Sequence, residues 1–119
     1  MIIEGVHGIG KSGIVKQFAE EENYHIEELF LSHQEVGDII GIPNTVELNG
    51  VTVTTWSVPI WLQRMKTAAS TGKKCVLFLD ELNRAPIDVR QSALQLVLER
   101  KIHEHELPSV DGERTFVVA

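Results

Sequence analysis

The chain has 119 residues, which corresponds to one domain or part of one. Its composition is typical of soluble proteins, with 43% hydrophobic and 24% charged residues. A formal net charge of −6 argues against general binding to nucleic-acid backbones or anionic membranes. The longest apolar run, residues 75–79, is too short to span a bilayer, and a single cysteine excludes an internal disulfide. Because no targeting signal is visible either, we expect a cytoplasmic protein.

The first forty residues alternate between strand and helix patterns. "MIIE" is typical of the end of a strand, residues 5–10 of a loop, and residues 12–22 of a helix. The predicted apolar face of this helix consists of Ile14, Val15, Phe18 and Ala19. "YHIEELFL" predicts a strand, and "GDIIGIPN", with Gly37, Gly41 and Pro43, predicts turns. The acid-rich residues 20–28 are expected to be a solvated helix end and loop.

The remaining pattern predicts a β-hairpin and then further helices and strands. Asn49-Gly50 lies between two alternating runs, which favours a hairpin with a type I′ turn. Ser57 is a candidate cap and Pro59 a first-turn residue for a helix that ends at Gly72. "CVLFL" is typical of a strand buried on both faces of a parallel sheet. Pro86 should open another helix, and two strands should flank Asp111-Gly112. This alternation predicts an α/β fold with a mainly parallel sheet.

"GVHGIGKS" matches the phosphate-binding pattern G-x-x-x-x-G-K-[ST] in full. Glycines let backbone N–H groups approach phosphate oxygens, and the start of the following helix favours an anion. Lys11 would reach the β- and γ-phosphates, and the Ser12 hydroxyl would bind Mg²⁺. The His7 side chain is expected to have no phosphate role. The predicted nucleotide-binding residues are Gly5, His7, Gly8, Ile9, Gly10, Lys11, Ser12 and Gly13.

Asp80 and Glu81 follow the apolar run "CVLFL". Ligand-binding residues of open α/β sheets lie at the carboxyl ends of strands, and a magnesium ion can compensate a carboxylate there. We therefore predict that Asp80 supports the metal and that Glu81 is the base that deprotonates the attacking water. Lys11 and Glu81 are the predicted catalytic residues, and ATP and Mg²⁺ are the predicted cofactors.

Other chemically suggestive residues are assigned plainer roles. His103 and His105 should alternate on one strand face, where they could bind a metal, but without a third ligand we expect exposed strand residues. Trp56 and Trp61 are expected in the core, with partner binding as the minority interpretation, and Cys75 as a buried apolar residue. Arg84 could pair with a nearby carboxylate or contact a nucleotide across a subunit interface, and the sequence leaves both open.

The two site motifs together resemble those of the AAA+ ATPases, most closely the MoxR and dynein-related branch. The residues that carry the resemblance are "GVHGIGKS", "GDIIGIP" and "LDELNRAPIDVRQSALQLVLERK". The resemblance implies a P-loop NTPase three-layer sandwich with β-hairpin insertions. It also implies an ATP-driven remodelling or assembly chaperone that forms a homo-oligomeric ring, often a hexamer, with an unspecified protein client. The hairpin in "NTVELNGVTVTTW" resembles an insertion of this branch and is a candidate for client contact, and residues 102–114 resemble its second insertion.

The resemblance further implies that residues 1–119 are a partial nucleotide-binding core, which runs from the phosphate loop to the strand before the first sensor residue. The sensors, the arginine finger, the helical lid and the segment that holds adenine are expected outside it. We therefore expect this stretch alone to bind ATP weakly and to hydrolyse it near the background rate.

Two other functions fit the same motifs. A small-molecule P-loop kinase should carry several arginines in a mobile segment, whereas the arginines here are scattered. A nucleotide-dependent interaction module would keep binding but lack hydrolysis, and turnover of the complete protein would distinguish it from an ATPase.

Overall fold

The computed structural model describes the backbone of residues 2–3 and 9–119 and the side chains of residues 13–119. The helices in these ranges are α1 (Ile9–Glu21), α2 (Val36–Ile40), α3 (Ile60–Ser70) and α4 (Ile87–Glu99). The strands there are β1 (Ile2–Ile3), β2 (His25–Phe30), β3 (Pro43–Leu48), β4 (Val51–Trp56), β5 (Cys75–Asp80), β6 (Lys101–Ile102), β7 (His105–Glu106), β8 (Ser109–Val110), β9 (Glu113–Arg114) and β10 (Phe116–Val118). Two short 3₁₀ turns, Leu31–His33 and Leu82–Arg84, follow β2 and β5.

Four strands form one parallel sheet in the order β1, β10, β5, β2. Ile3 lies opposite Val118, which in turn lies opposite Phe78. On the other side of β5, Phe30 lies opposite Asp80. Because all four strands run in the same direction, their carboxyl ends meet on one side of the sheet, which we call the carboxyl side.

Helices cover both faces of this sheet. Alternate residues of β5 point to opposite faces, and all five from Cys75 to Leu79 are buried. Leu77 and Leu79 pack with residues of α2, α3 and α4, such as Ile39, Met65 and Leu96. On the other face, Val76 and Phe78 pack with Val15 of α1 and with Val118. The predicted α/β three-layer fold is confirmed.

The predicted apolar face of the first helix is only half correct. Val15 and Ala19 are buried, whereas Ile14 is 68% exposed and Phe18 is 39% exposed. Phe18 instead packs edge-on against Tyr24 and Phe116. The helix also begins at Ile9 and not at Ser12.

The hairpin around Asn49-Gly50 is confirmed. β3 and β4 pair in register from Pro43 opposite Trp56 to Leu48 opposite Val51. Asn49 and Gly50 have φ values of 52° and 78°, as a type I′ turn requires. All six residues of β3 are exposed. We call residues 43–56 the arm.

Three local predictions around the arm and the first acidic run are wrong. "GDIIGIPN" was predicted as turns but overlaps α2, whose start is closed by reciprocal hydrogen bonds between Glu35 and Asp38. Ser57 does not cap α3, since the residue before the helix is Pro59 and the Ser57 hydroxyl accepts a hydrogen bond from the Asn44 side chain. Within residues 20–28, Glu27 is not solvated but only 6% exposed.

Glu27 is buried because two neighbours satisfy its carboxylate. Arg64 donates two hydrogen bonds to Oε2, from Nε at 3.1 Å and Nη2 at 2.8 Å. His25 Nε2 lies 3.0 Å from the other oxygen, Oε1. This cluster joins β2 to α3 on the face of the sheet that α3 covers.

The segment after α4 forms two short hairpins and then returns to the sheet as β10. The predicted turn at Asp111-Gly112 is confirmed between β8 and β9. His103 and His105 do not share a strand face, because His103 lies in the turn between β6 and β7 with a φ of 52°. Among residues 9–119, no helix is long and apolar enough to cross a membrane.

Candidate functional site

The predicted phosphate loop connects β1 to α1. Gly5, His7 and Gly8 lie outside the described residues. Ile9, Gly10, Lys11 and Ser12 form the backbone of the first turn of α1, and Gly13 follows with open space around its Cα. The helix therefore starts within a few residues of the carboxyl end of β1. Free N–H groups of a helix start on this side of the sheet favour an anion.

Asp80 is the last residue of β5 and is half-buried on the same side of the sheet. Its Oδ1 accepts a hydrogen bond from the backbone N–H of Glu81 at 2.9 Å. Among the described side chains, no cation lies within ion-pair distance of Asp80. The carboxylate therefore keeps acceptor capacity toward solvent.

Glu81 leaves the strand with a left-handed backbone, at φ 58° and ψ 36°. A non-glycine residue in this conformation is uncommon, and it turns the chain sharply at the end of β5. The Ser32 hydroxyl donates a hydrogen bond to Glu81 Oε2. Arg84 Nη1 lies 3.9 Å from the other carboxylate oxygen, while its own side chain is 73% exposed. Of the two roles left open for Arg84, the pairing with a nearby carboxylate is therefore present in this structure.

Ser32 is a site residue that the sequence analysis missed. It lies in the 3₁₀ turn directly after β2, and β2 is the neighbour of β5 in the sheet. Adjacent parallel strands bring their carboxyl ends together, so polar residues that follow β2 were foreseeable candidates. The sequence gives no direct sign of this contact, because 49 positions separate the serine from the glutamate.

The sheet order sets the distance between the two site motifs. β10 lies between β1 and β5, so the ends of β1 and β5 are two strand spacings, or roughly 10 Å, apart. The register shows that Asp80 extends two residues beyond Phe78, which is level with Val118 and Ile3. The acidic pair therefore lies beyond the level of Ile3 and Val118 on the carboxyl side of the sheet.

The residues on this side fit a magnesium ion. Mg²⁺ prefers oxygen ligands and keeps several waters, which carboxylates can hold through its water shell. Asp80 offers such oxygens, and among the described side chains no cation competes for them. Ser12 belongs to the first turn of α1. Among the described side chains, no group of three potential metal ligands occurs, and His103 and His105 do not share a strand face.

Two other residues that the sequence singled out, Trp61 and Cys75, are buried. Trp61 is 2% exposed and donates a hydrogen bond from Nε1 to the Ile39 carbonyl at 3.2 Å, as expected of a core tryptophan. Cys75 is 3% exposed, and burial raises the pKa of its thiol to about 11, with a smaller contribution from the Glu27 carboxylate. Cys75 is therefore a buried apolar residue and not a nucleophile.

The fold and the loop sequence together define the class. A parallel sheet covered by helices on both faces, with a phosphate-loop sequence between its first strand and first helix, is the arrangement of P-loop NTPases. The family model for the AAA domain (dynein-related subfamily) matches residues 1–118, and the chain therefore belongs to this family. It is a AAA+ ATPase domain, of a family that binds ATP, typically with Mg²⁺, and generally assembles into rings. No curated protein and no solved structure gives a significant match to the chain.

Proposed function

We propose that this domain binds ATP with Mg²⁺ and hydrolyses it, through Lys11 and Ser12 on α1 and Asp80 and Glu81 after β5. The observation that carries the proposal is the acidic pair on the carboxyl side of the sheet, with the Glu81 carboxylate held by Ser32. The phosphate-loop sequence leads into α1, which starts after β1, and this supports a nucleotide site on the same side.

Each residue has a separate task in this proposal. Lys11 neutralises phosphate charge, and Ser12 and Asp80 hold the metal with its water. Glu81 takes a proton from the attacking water on a carboxylate oxygen, and the contacts with Ser32 and Arg84 hold that carboxylate in place. When bound, Mg²⁺ would neutralise charge on the phosphate oxygens, which together with positioning accounts for most catalysis of this type.

The resemblance to the MoxR branch supports a wider role as a remodelling or assembly chaperone. The arm is a candidate surface for client contact, since Leu48 and Val51 are 61% and 59% exposed at its tip. A ring of several copies would present several arms at once, which would strengthen binding to one client through multivalency. The client itself is a protein of unspecified sequence.

Nucleotide binding is tested by titrating the protein with a fluorescent ATP analogue in the presence of Mg²⁺. Lys11→Ala should abolish measurable binding because it removes the cation of the loop. Lys16→Ala is the matched control, because Lys16 lies one to two turns further along α1 and pairs with Glu28 at 3.4 Å. Equal affinity of both variants and the parent would exclude the proposed loop.

Hydrolysis is tested in the full-length protein by phosphate release. Glu81→Gln should retain ATP binding and lower turnover by at least about 10²-fold, because the amide can accept the Ser32 hydrogen bond but cannot take a proton. Asp80→Asn should instead shift the dependence on Mg²⁺ concentration. Parental turnover in both variants would show that the acidic pair is not catalytic.

The same assay separates the two alternative functions. A small-molecule kinase would release little phosphate until an acceptor is added. An interaction module without hydrolysis would bind the analogue in a Lys11-dependent manner but release no phosphate above background, and Glu81→Gln would then change nothing.

A further inference from the structure

The arm lacks the support that usually stabilises a strand pair. All residues of β3 are exposed, and of β4 only Val53, Thr55 and Trp56 are half-buried. An isolated two-stranded hairpin is marginally stable in water. The stability of the arm therefore depends on contacts at its base, where it joins the rest of the domain.

Trp56, the last residue of the arm, stacks on a residue of a different hairpin. The indole and the His103 imidazole lie nearly parallel, with ring centroids 3.7 Å apart and an interplanar angle of 12°. His103 is the first residue of the two-residue turn between β6 and β7, where a positive φ of 52° is usual for a hairpin turn.

The two residues after His103 also contact Trp56 or stabilise that contact. His105 Nε2 lies 2.9 Å from the Trp56 carbonyl oxygen, at hydrogen-bond distance. The Glu104 carboxylate is 3.5 Å from the same imidazole nitrogen. The pKa of Glu104 lies below its ordinary range because its own backbone N–H, the two imidazoles and the Trp56 backbone stabilise the ionised form. Three consecutive side chains thus converge on one residue of the arm.

We propose that Trp56 and residues 103–105 form a latch that joins the arm to the β6–β7 hairpin, so that the two hairpins are ordered and move as one unit. The latch uses a ring stack and one hydrogen bond, and it connects segments about 50 positions apart in sequence. It does not depend on nucleotide hydrolysis.

Through the latch, the arm is connected to α4 and to the 3₁₀ turn that precedes α4. β6 follows directly on α4, and α4 begins after the 3₁₀ turn that contains Arg84. An α-helix of 13 residues is about 20 Å long. A shift of α4 would therefore be transmitted to the β6–β7 hairpin and, through the latch, to the base of the arm.

Amide hydrogen exchange of the whole chain, read by mass spectrometry, tests this latch. His103→Ala removes the stacking ring, and exchange across residues 43–56 should become about three- to tenfold faster, the range expected for loss of one aromatic pair. Lys101→Ala is the matched control, because Lys101 is an exposed residue of the same hairpin on β6. His103→Phe keeps a flat ring against the indole and should restore slow exchange.

Local and general effects are separated within the same data set. Amides of β5 are the internal reference, and their exchange should stay at the parental rate in every variant. Parental exchange of the arm in His103→Ala would overturn the latch. An equal increase in Lys101→Ala, an increase that includes β5, or failure of His103→Phe to restore protection would overturn it as well.

Discussion

β5 and β3 are both six-residue strands, but they owe their structure to different forces. Every residue of β5 except Asp80 is buried between helices on both faces of the sheet. Every residue of β3 is exposed, and its partner β4 is held by the Asn49-Gly50 turn and by cross-strand pairs. Packing thus specifies β5, whereas local turn chemistry and the latch specify β3. Two strands of equal length in one chain can therefore differ strongly in how much a mutation destabilises the protein.

The largest expected contrast comes from one substitution made in both regions. Leu77→Ala on β5 should lower the free energy of unfolding by about 2–5 kcal/mol, because Leu77 is fully buried in the core. Leu48→Ala in the arm should change it by less than about 0.5 kcal/mol, because Leu48 is 61% exposed. Urea denaturation followed by circular dichroism measures both. Similar losses in the two variants would contradict the comparison.

Thiol reactivity gives the next largest contrast. At pH 8 the Cys75 thiolate is scarce, because burial raises the thiol pKa to about 11, whereas an exposed cysteine introduced by Thr52→Cys in the arm should ionise near its ordinary value. Thiolate fraction alone predicts roughly 10²-fold slower alkylation of Cys75, and its rate should rise with pH up to about 11. Labelling of the Thr52→Cys variant with iodoacetamide, resolved by peptide mapping, compares both sites in one sample. Equal rates would contradict the buried environment of Cys75.

A smaller effect is expected at Gly41, where the arm joins the body of the domain. A Cβ atom there would lie 2.0 Å from the Ser57 carbonyl oxygen, and the φ of 85° with ψ of −176° is essentially restricted to glycine. Gly41→Ala should therefore cost at least about 1–3 kcal/mol from the backbone alone. Chemical denaturation measures this cost, and a stability within about 0.5 kcal/mol of the parent would show that the base of the arm can rearrange freely.

The smallest effect is expected at the tip of the arm. Gly50 has a φ of 78° but nothing within 4 Å of the position its Cβ would take. Gly50→Ala should therefore destabilise the turn by about 1 kcal/mol without changing global unfolding. Faster amide exchange limited to residues 43–56, at an unchanged denaturation midpoint, is the expected result. A shift of that midpoint would mean that the arm and the core unfold together.

The sequence predicted those features that local chemistry or continuous burial determines. The Asn49-Gly50 and Asp111-Gly112 turns and β5 are where the pattern placed them, because positive φ angles and two-sided burial leave few alternatives. The burial of Glu27 was not predictable, since it depends on Arg64 37 positions away. The exposure of Ile14 was not predictable either, because it depends on how α1 packs in the folded domain.

The candidate site divides in the same way. The positions of Asp80 and Glu81 at the end of a strand could be predicted from "CVLFLDE" alone. The left-handed backbone of Glu81 and its contact with Ser32 could not, because both depend on how two strands and two 3₁₀ turns meet. The functional roles of these residues and of the phosphate loop stay predictions.

The ends of the arm meet where it joins the domain, since the Ser57 N–H donates a hydrogen bond to the Ile42 carbonyl at 2.9 Å. Residues 43–56 therefore form an insertion with adjacent ends, and the chain would be almost continuous without it. The entropy of closing such a loop changes only slowly with its length. Hairpins of other lengths and sequences could replace this one between positions 42 and 57 while the carboxyl side of the sheet stays unchanged. The Asn49-Gly50 tip is therefore a natural position for inserting a reporter peptide.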